Sequence, residues 1–205
     1  MAKPFCDLYR AESARLPRWD YAENGDYFVT ICTRRQENYF GVIQDKRMRL
    51  SKIGKVAEKF WCKIPRHFPF VQLDHFVVMP NHIHGIITIA KDLFDPRRDA
   101  INRYGVITHP CRDAIYRVST ENRKTGGITG KHNPMGKKSL GEIIREYKSA
   151  VKRFSTRDKI PFAWQRLFYD RVIRNDRELT DIQAYIINNH ANWERDMENL
   201  KKIDN

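Results

Sequence analysis

The stretch Val71-Gln-Leu-Asp-His-Phe-Val-Val-Met79-Pro-Asn-His82-Ile-His84-Gly-Ile-Ile-Thr-Ile-Ala90 decides how the rest of the chain is read. Val71 to Met79 and His82 to Ala90 are strand-like, and the turn-forming pair Pro80-Asn81 joins them. Side chains alternate along a strand, so His82 and His84 share one face while Ile83, Gly85, Ile87 and Ile89 share the other. The second face supplies a core. The first carries two imidazoles, ~7 Å apart by the strand rise, able to converge on one divalent ion. An isolated His-x-His is more often a pair of partly buried, hydrogen-bonded histidines, so the motif alone decides nothing.

Upstream, Tyr27-Phe-Val-Thr-Ile-Cys-Thr33 is rich in β-branched and aromatic residues and reads as a strand. A short hairpin is expected around Gln44-Asp-Lys46. Between Ser51 and His67 the residues Ile53, Val56, Ala57, Phe60, Trp61 and Ile64 follow helical spacing, with Ser51 as cap. Downstream, Ser139-Leu-Gly-Glu142 reads as a capping box opening a helix with Leu140, Ile143, Ile144, Tyr147, Val151 and Phe154 on one stripe. Leu167 to Arg174 reads as a strand. A last helix starts near Asn175 or Asp176 and lines up Leu179, Ile182, Ile186 and Trp193. Helices interleaved with short strands predict an α+β fold, a mainly antiparallel sheet with packed helices similar to the ferredoxin-like or RRM-like arrangement.

The 205 residues suit one domain spanning 1–205, with 41% apolar residues to fill its core. Between about 91 and 138 the periodicity stops, and 11 Lys and Arg stand against 5 Asp and Glu, +6 of the total charge of +13. A basic flexible insert is expected there, either functional or a plain solvated loop. The overall charge favours a polyanion, nucleic acid or an anionic membrane surface. No run approaches the ~20 apolar residues of a membrane span, and Met1-Ala-Lys-Pro-Phe-Cys6 lacks a secretion signal's apolar stretch, so a cytoplasmic protein is expected. Cys6, Cys32, Cys62 and Cys111 are scattered, with neither CxxC nor scaffold spacing, and are expected as reduced thiols instead of zinc ligands.

Two further groupings carry chemistry. In Tyr185-Ile-Ile-Asn-Asn189 a spacing of four stacks a phenol over a carboxamide at one margin of the last helix's apolar stripe. That pairs a nucleophile with a candidate third metal ligand, though such pairs are commonly helix-edge packing. Trp164-Gln-Arg-Leu-Phe-Tyr-Asp-Arg-Val-Ile-Arg174 interleaves Trp164, Gln165 and Tyr169 with Arg166, Arg171 and Arg174. Aromatic faces can stack unpaired bases while guanidinium groups hold phosphates. An edge strand with a charged outer face accounts for the same pattern.

In this order, Tyr27-Phe-Val-Thr, Met79-Pro-Asn-His-Ile-His-Gly85, the Leu140 to Phe154 helix, Trp164 to Arg174 and Tyr185-Ile-Ile-Asn-Asn189 resemble the REP-associated tyrosine transposases, part of the single-tyrosine HUH transposase superfamily. The resemblance runs from about Tyr27 to Trp193, outside the basic insert. It implies an HUH endonuclease type of fold, His82, His84 and Asn189 as metal ligands, and Tyr185 as the nucleophile. It also implies a covalent 5′-phosphotyrosine with a free 3′ hydroxyl, and it leaves monomer and homodimer both open. Relatives usually continue Asn-Pro where this chain has Asn189-His190, and His190 could compete for the metal. A phenol with a pKa of ~10 needs activation at neutral pH, and a mixed nitrogen and oxygen set suits Mg2+ or Mn2+ better than structural zinc. Single-stranded or hairpin DNA is the expected partner, bound with strong salt dependence. Two rivals stay open: a non-catalytic ferredoxin-like nucleic-acid-binding protein and a metal-dependent hydrolase using water.

Overall fold

The computed structural model describes residues 19–91 and 138–201, with side chains to Trp193. The basic insert expected at 91–138 lies almost wholly outside the described residues.

Strand β1 (Gly25–Cys32) alternates strictly. Tyr27, Val29 and Ile31 are fully buried on one side, while Phe28 and Thr30 face the other, Phe28 in a second core and Thr30 bonded to His84. The hairpin β2 (Gly41–Gln44) and β3 (Arg47–Leu50) follows, turned by Asp45 and Lys46 at φ 52° and 58°. Paired positive φ values match a right-twisted two-residue turn.

Helix α1 (Lys52–Trp61) is capped by Ser51, whose hydroxyl accepts from the Gly54 amide at 3.1 Å. The apolar spacing from Ser51 to His67 predicts one helix, yet the chain breaks after Trp61 and resumes as α2 (Ile64–His67). Pro65 explains the break, because in a continuous helix its ring would press on the Trp61 carbonyl.

Strands β4 (Val71–Val78) and β5 (His82–Ile89) flank the Pro80-Asn81 turn. Helix α3 (Leu140–Arg157), β6 (Tyr169–Ile173) and α4 (Asp176–Lys201) complete the order. At α3 the Glu142 carboxylate reaches the amide one residue before the cap. Glu142 accepts from the Lys138 amide at 2.9 Å, and the Ser139 side chain makes no cap bond. The strand expected from Leu167 to Arg174 is shorter at both ends.

The sheet order is β4-β5-β1-β6, every neighbour antiparallel. Leaving out the small β2–β3 sheet, the path is βαββαβ, the ferredoxin-like arrangement. Helices α1 and α3 cover one face over Tyr27, Val29, Ile31, Ile83 and Ile87. Helix α4 covers the other over Phe28, Val77, Met79 and Ile86, with Ile182, Ile186 and Trp193 as its buried stripe. Cys62 is disulfide-bonded, which corrects the expectation of a reduced thiol at that position, while Cys32 is in no disulfide.

Candidate active site under helix α4

β5 presents His82 and His84 to α4, their ring centroids 4.4 Å apart. Each ring is held from behind. Asn81 Oδ1 lies 2.7 Å from His82 Nδ1, and an amide oxygen only accepts, so Nδ1 carries the proton and Nε2 keeps its lone pair. Thr30, directly opposite His84 in the β1–β5 register, places its hydroxyl 2.8 Å from His84 Nδ1. The Asn81 backbone is itself fixed, since its carbonyl accepts from the Thr33 amide and hydroxyl.

Helix α4 runs antiparallel to β5 across this face. The Tyr185 hydroxyl shares a hydrogen bond with His84 Nε2 at 3.2 Å, and Trp193 lies over His82 with ring centroids 6.0 Å apart. Asn189 sits midway between Tyr185 and Trp193 on the same helix face and is fully buried. Its Oδ1 and Nδ2, like His82 Nε2, have no partner among the described residues. Buried polar atoms are seldom left so, since each unmet group costs about 1–3 kcal/mol. Phe28 completes the setting: its ring stacks on His84 at 5.3 Å and meets Tyr185 edge-on at 6.3 Å.

Burial pushes the His82 pKa down to about 4 and, with the neighbouring His82 charge adding to it, holds His84 well below the ordinary imidazole range. Both rings are neutral at neutral pH, the form that ligates metals. They are correspondingly poor bases. Among the described residues no three His, Cys, Asp or Glu side chains gather as a metal site, so a cation here would rest on two imidazoles plus the Asn189 amide oxygen. That donor set fits the bare His82 Nε2 and Asn189 Oδ1, with His84 Nε2 turned to the Tyr185 hydroxyl beside them.

His190, the departure from the usual Asn-Pro, donates from Nε2 to the Val78 carbonyl at 3.3 Å. With Gln183 donating to Asp74 Oδ2 at 2.6 Å, it ties α4 to β4 on either side of Tyr185. In this arrangement His190 is engaged in anchoring the helix.

The Trp164 to Arg174 segment divides. Tyr169 is opposite Thr30 and Arg171 opposite Phe28 in the β1–β6 register, so both share the histidine face, and Arg171 pairs with Glu178. Gln165 donates to the Tyr169 hydroxyl at 3.3 Å. Trp164 turns inward, its ring 4.9 Å from Phe162 and 5.4 Å from Phe40, with Nε1 donating to the Lys148 carbonyl. Arg166 and Arg174 are exposed. Thr30, Asn81 and Phe28 are the positioning residues that spacing did not single out. Alternation along Phe28-Val-Thr30 was the available signal, but only strand pairing reveals which ring each one meets.

No family model matches the chain. Its fold is similar to a solved REP-associated tyrosine transposase bound to a REP hairpin (18% identity, 85% of this chain and 71% of that one, TM-score 0.49). It is also similar to a structure described as a transposase candidate from Deinococcus radiodurans R1 (14%, 85% and 97%, TM-score 0.35). In sequence it is 30% identical over 190 residues to an uncharacterized protein of Haemophilus influenzae, covering 92% of this chain and 93% of the relative. Identity at that level along nearly the whole of both proteins places the chain in one family with the uncharacterized Haemophilus influenzae protein.

Proposed function

We propose that this protein is a single-tyrosine HUH transposase that nicks and rejoins single-stranded or hairpin DNA. The observation that carries the reading is Tyr185 reaching His84 at 3.2 Å while Asn189 is held buried one turn further along α4. His82, His84 and Asn189 would hold Mg2+ or Mn2+, which when bound withdraws charge from a phosphate and orients the scissile bond.

The Tyr185 oxygen attacks phosphorus as its proton passes to water, the bond to the 3′ oxygen breaks, and that oxygen leaves with the electron pair and takes a proton from water to become a 3′ hydroxyl. The phosphate stays on Tyr185 as a 5′-phosphotyrosine, and the reverse attack by a 3′ hydroxyl rejoins the strand without ATP. His84 suits the ligand role better than that of proton acceptor, because burial disfavours its charged form. Thr30 and Asn81 orient the two rings, and Phe28 holds the phenol against them.

Incubation with a labelled hairpin carrying a single-stranded flank, plus Mn2+, should give a protein–DNA adduct that survives denaturation. Tyr185→Phe should abolish it. An adduct persisting in that variant moves the nucleophile to Tyr169, since Tyr147 is buried with its hydroxyl on the Ala57 carbonyl. Cleavage without adduct would point to water as nucleophile, and binding without cleavage to a non-catalytic nucleic-acid binder.

A further inference from the structure

Beyond β1 the chain makes a single 3-10 turn, Arg34–Gln36, in which Arg35 and Gln36 adopt left-handed backbone, φ 55° and 53°. Neither is glycine, and neighbouring left-handed residues of this kind are strained. The turn is held against the chain entering β6: Thr33 bridges Trp164, the Arg34 amide donates to the Ala163 carbonyl, and the Gln165 amide donates to the Cys32 carbonyl. Between these two segments lies a cleft of about 770 Å³ lined by Arg34, Arg35, Gln36, Trp164, Gln165 and Arg166.

All three arginines are exposed, and none forms an ion pair among the described residues. Glu37, the carboxylate next to the turn in sequence, bonds Tyr39. Three arginines thus line one cleft, and an anion carrying several charges, such as a run of backbone phosphates, can engage them together. The cleft also has a fixed relation to the histidine site. Cys32, two residues before Arg34, stands opposite His82, and the lining residue Gln165 bonds Tyr169, itself opposite Thr30. Two strand residues span on the order of 7 Å.

We propose that this cleft is a second phosphate seat, in which Arg34, Arg35 and Arg166 grip backbone phosphates of the single strand adjoining the one presented to Tyr185. The proposal rests on the functional reading above. It makes the strained turn a positioning device that sets the strand's path, with phosphates gripped as charge and bases left unread.

The test is fluorescence anisotropy of a labelled single-stranded oligonucleotide on full-length Tyr185→Phe protein, titrated over a range of salt. Every phosphate that a variant no longer neutralises lowers the slope of log affinity against log salt by ~0.7 on single strands. Arg34→Ala with Arg35→Ala should therefore flatten the slope by about 1.4 and weaken binding roughly tenfold at moderate salt. Replacing both by Lys should keep the slope. Because position 35 is left-handed, Arg35→Gly removes one charge while relieving the backbone, and should flatten the slope by ~0.7 without lowering the melting temperature. Unchanged slopes in folded alanine and glycine variants would overturn the proposal even if the adduct forms in the parent protein. A flattened slope with no adduct in the parent would leave the seat standing and remove the nicking function.

Discussion

His82 owes its bare Nε2 to the residue before it, because the Asn81 carboxamide oxygen accepts a hydrogen bond from Nδ1–H and so keeps the proton there. Thr30→Val and Asn81→Ala should each weaken Mn2+ binding by about 10–100-fold, the usual effect of removing a ligand's outer hydrogen bond, as read by calorimetric titration. Affinity within twofold of the parent would remove both from the proposed metal set. The same histidines govern the acid limit of stability. Burial lowers the folded pKa of His82 to about 4, against about 6.5 unfolded. The unfolded chain therefore binds protons first as pH falls. Stability from neutral burial is complete above about 6.5 and is lost on the way down to about 4. Urea midpoints should fall between pH 7 and pH 5, and less so in His82→Gln; identical falls in both would sever the link to this ring. Position and pairing of these residues followed from alternation in the sequence, whereas their partners did not, because register between distant strands is absent from local spacing.

Helix α4 shows what periodicity does and does not reveal. Leu179, Ile182, Ile186 and Trp193 read as one stripe, and they are the residues that pack on Phe28, Met79 and Ile86. Helical spacing puts Asn189 only at the margin of that stripe, yet it is fully buried. A helical wheel gives an angle; the depth comes from the sheet surface opposite. Ile182→Ala should cost about 2–5 kcal/mol by opening a cavity beneath the helix, as measured by urea denaturation. The bulge between Leu73 and Phe76 was not legible either, although by shifting register it sets Val77 opposite His84. Gly85 makes the strand's two faces interdependent. A Cβ there would stand 2.3 Å from Trp61 Cζ2, so Gly85→Ala should destabilise by about 1–3 kcal/mol and lower Tm by several degrees in a thermal melt. An unchanged Tm would mean that Trp61 repacks freely.

At the scale of the molecule, both ordered blocks of sequence meet in one sheet, with β1 lying between β5 and β6. The ferredoxin-like order was legible because each strand and helix kept its own period, while residues 92–137 showed none and lie outside the described structure. Among the described residues no helix is long and apolar enough to cross a membrane. The charge of +13 agrees with a polyanionic partner. Cation binding to the folded chain should raise stability by about 2.7 kcal/mol at one hundred times Kd, and a chelator should reverse the rise in a melting experiment. No rise in Tm with Mn2+ or Mg2+ would count against the histidine and amide set. Tyr185 touches His84 of its own polypeptide, through a helix pinned at both Gln183 and His190. If the proposed nicking holds, each copy would work as a self-contained reactor: His84→Ala and Tyr185→Phe proteins, mixed, should fail to complement one another, and adduct yield per molecule should be indifferent to dilution.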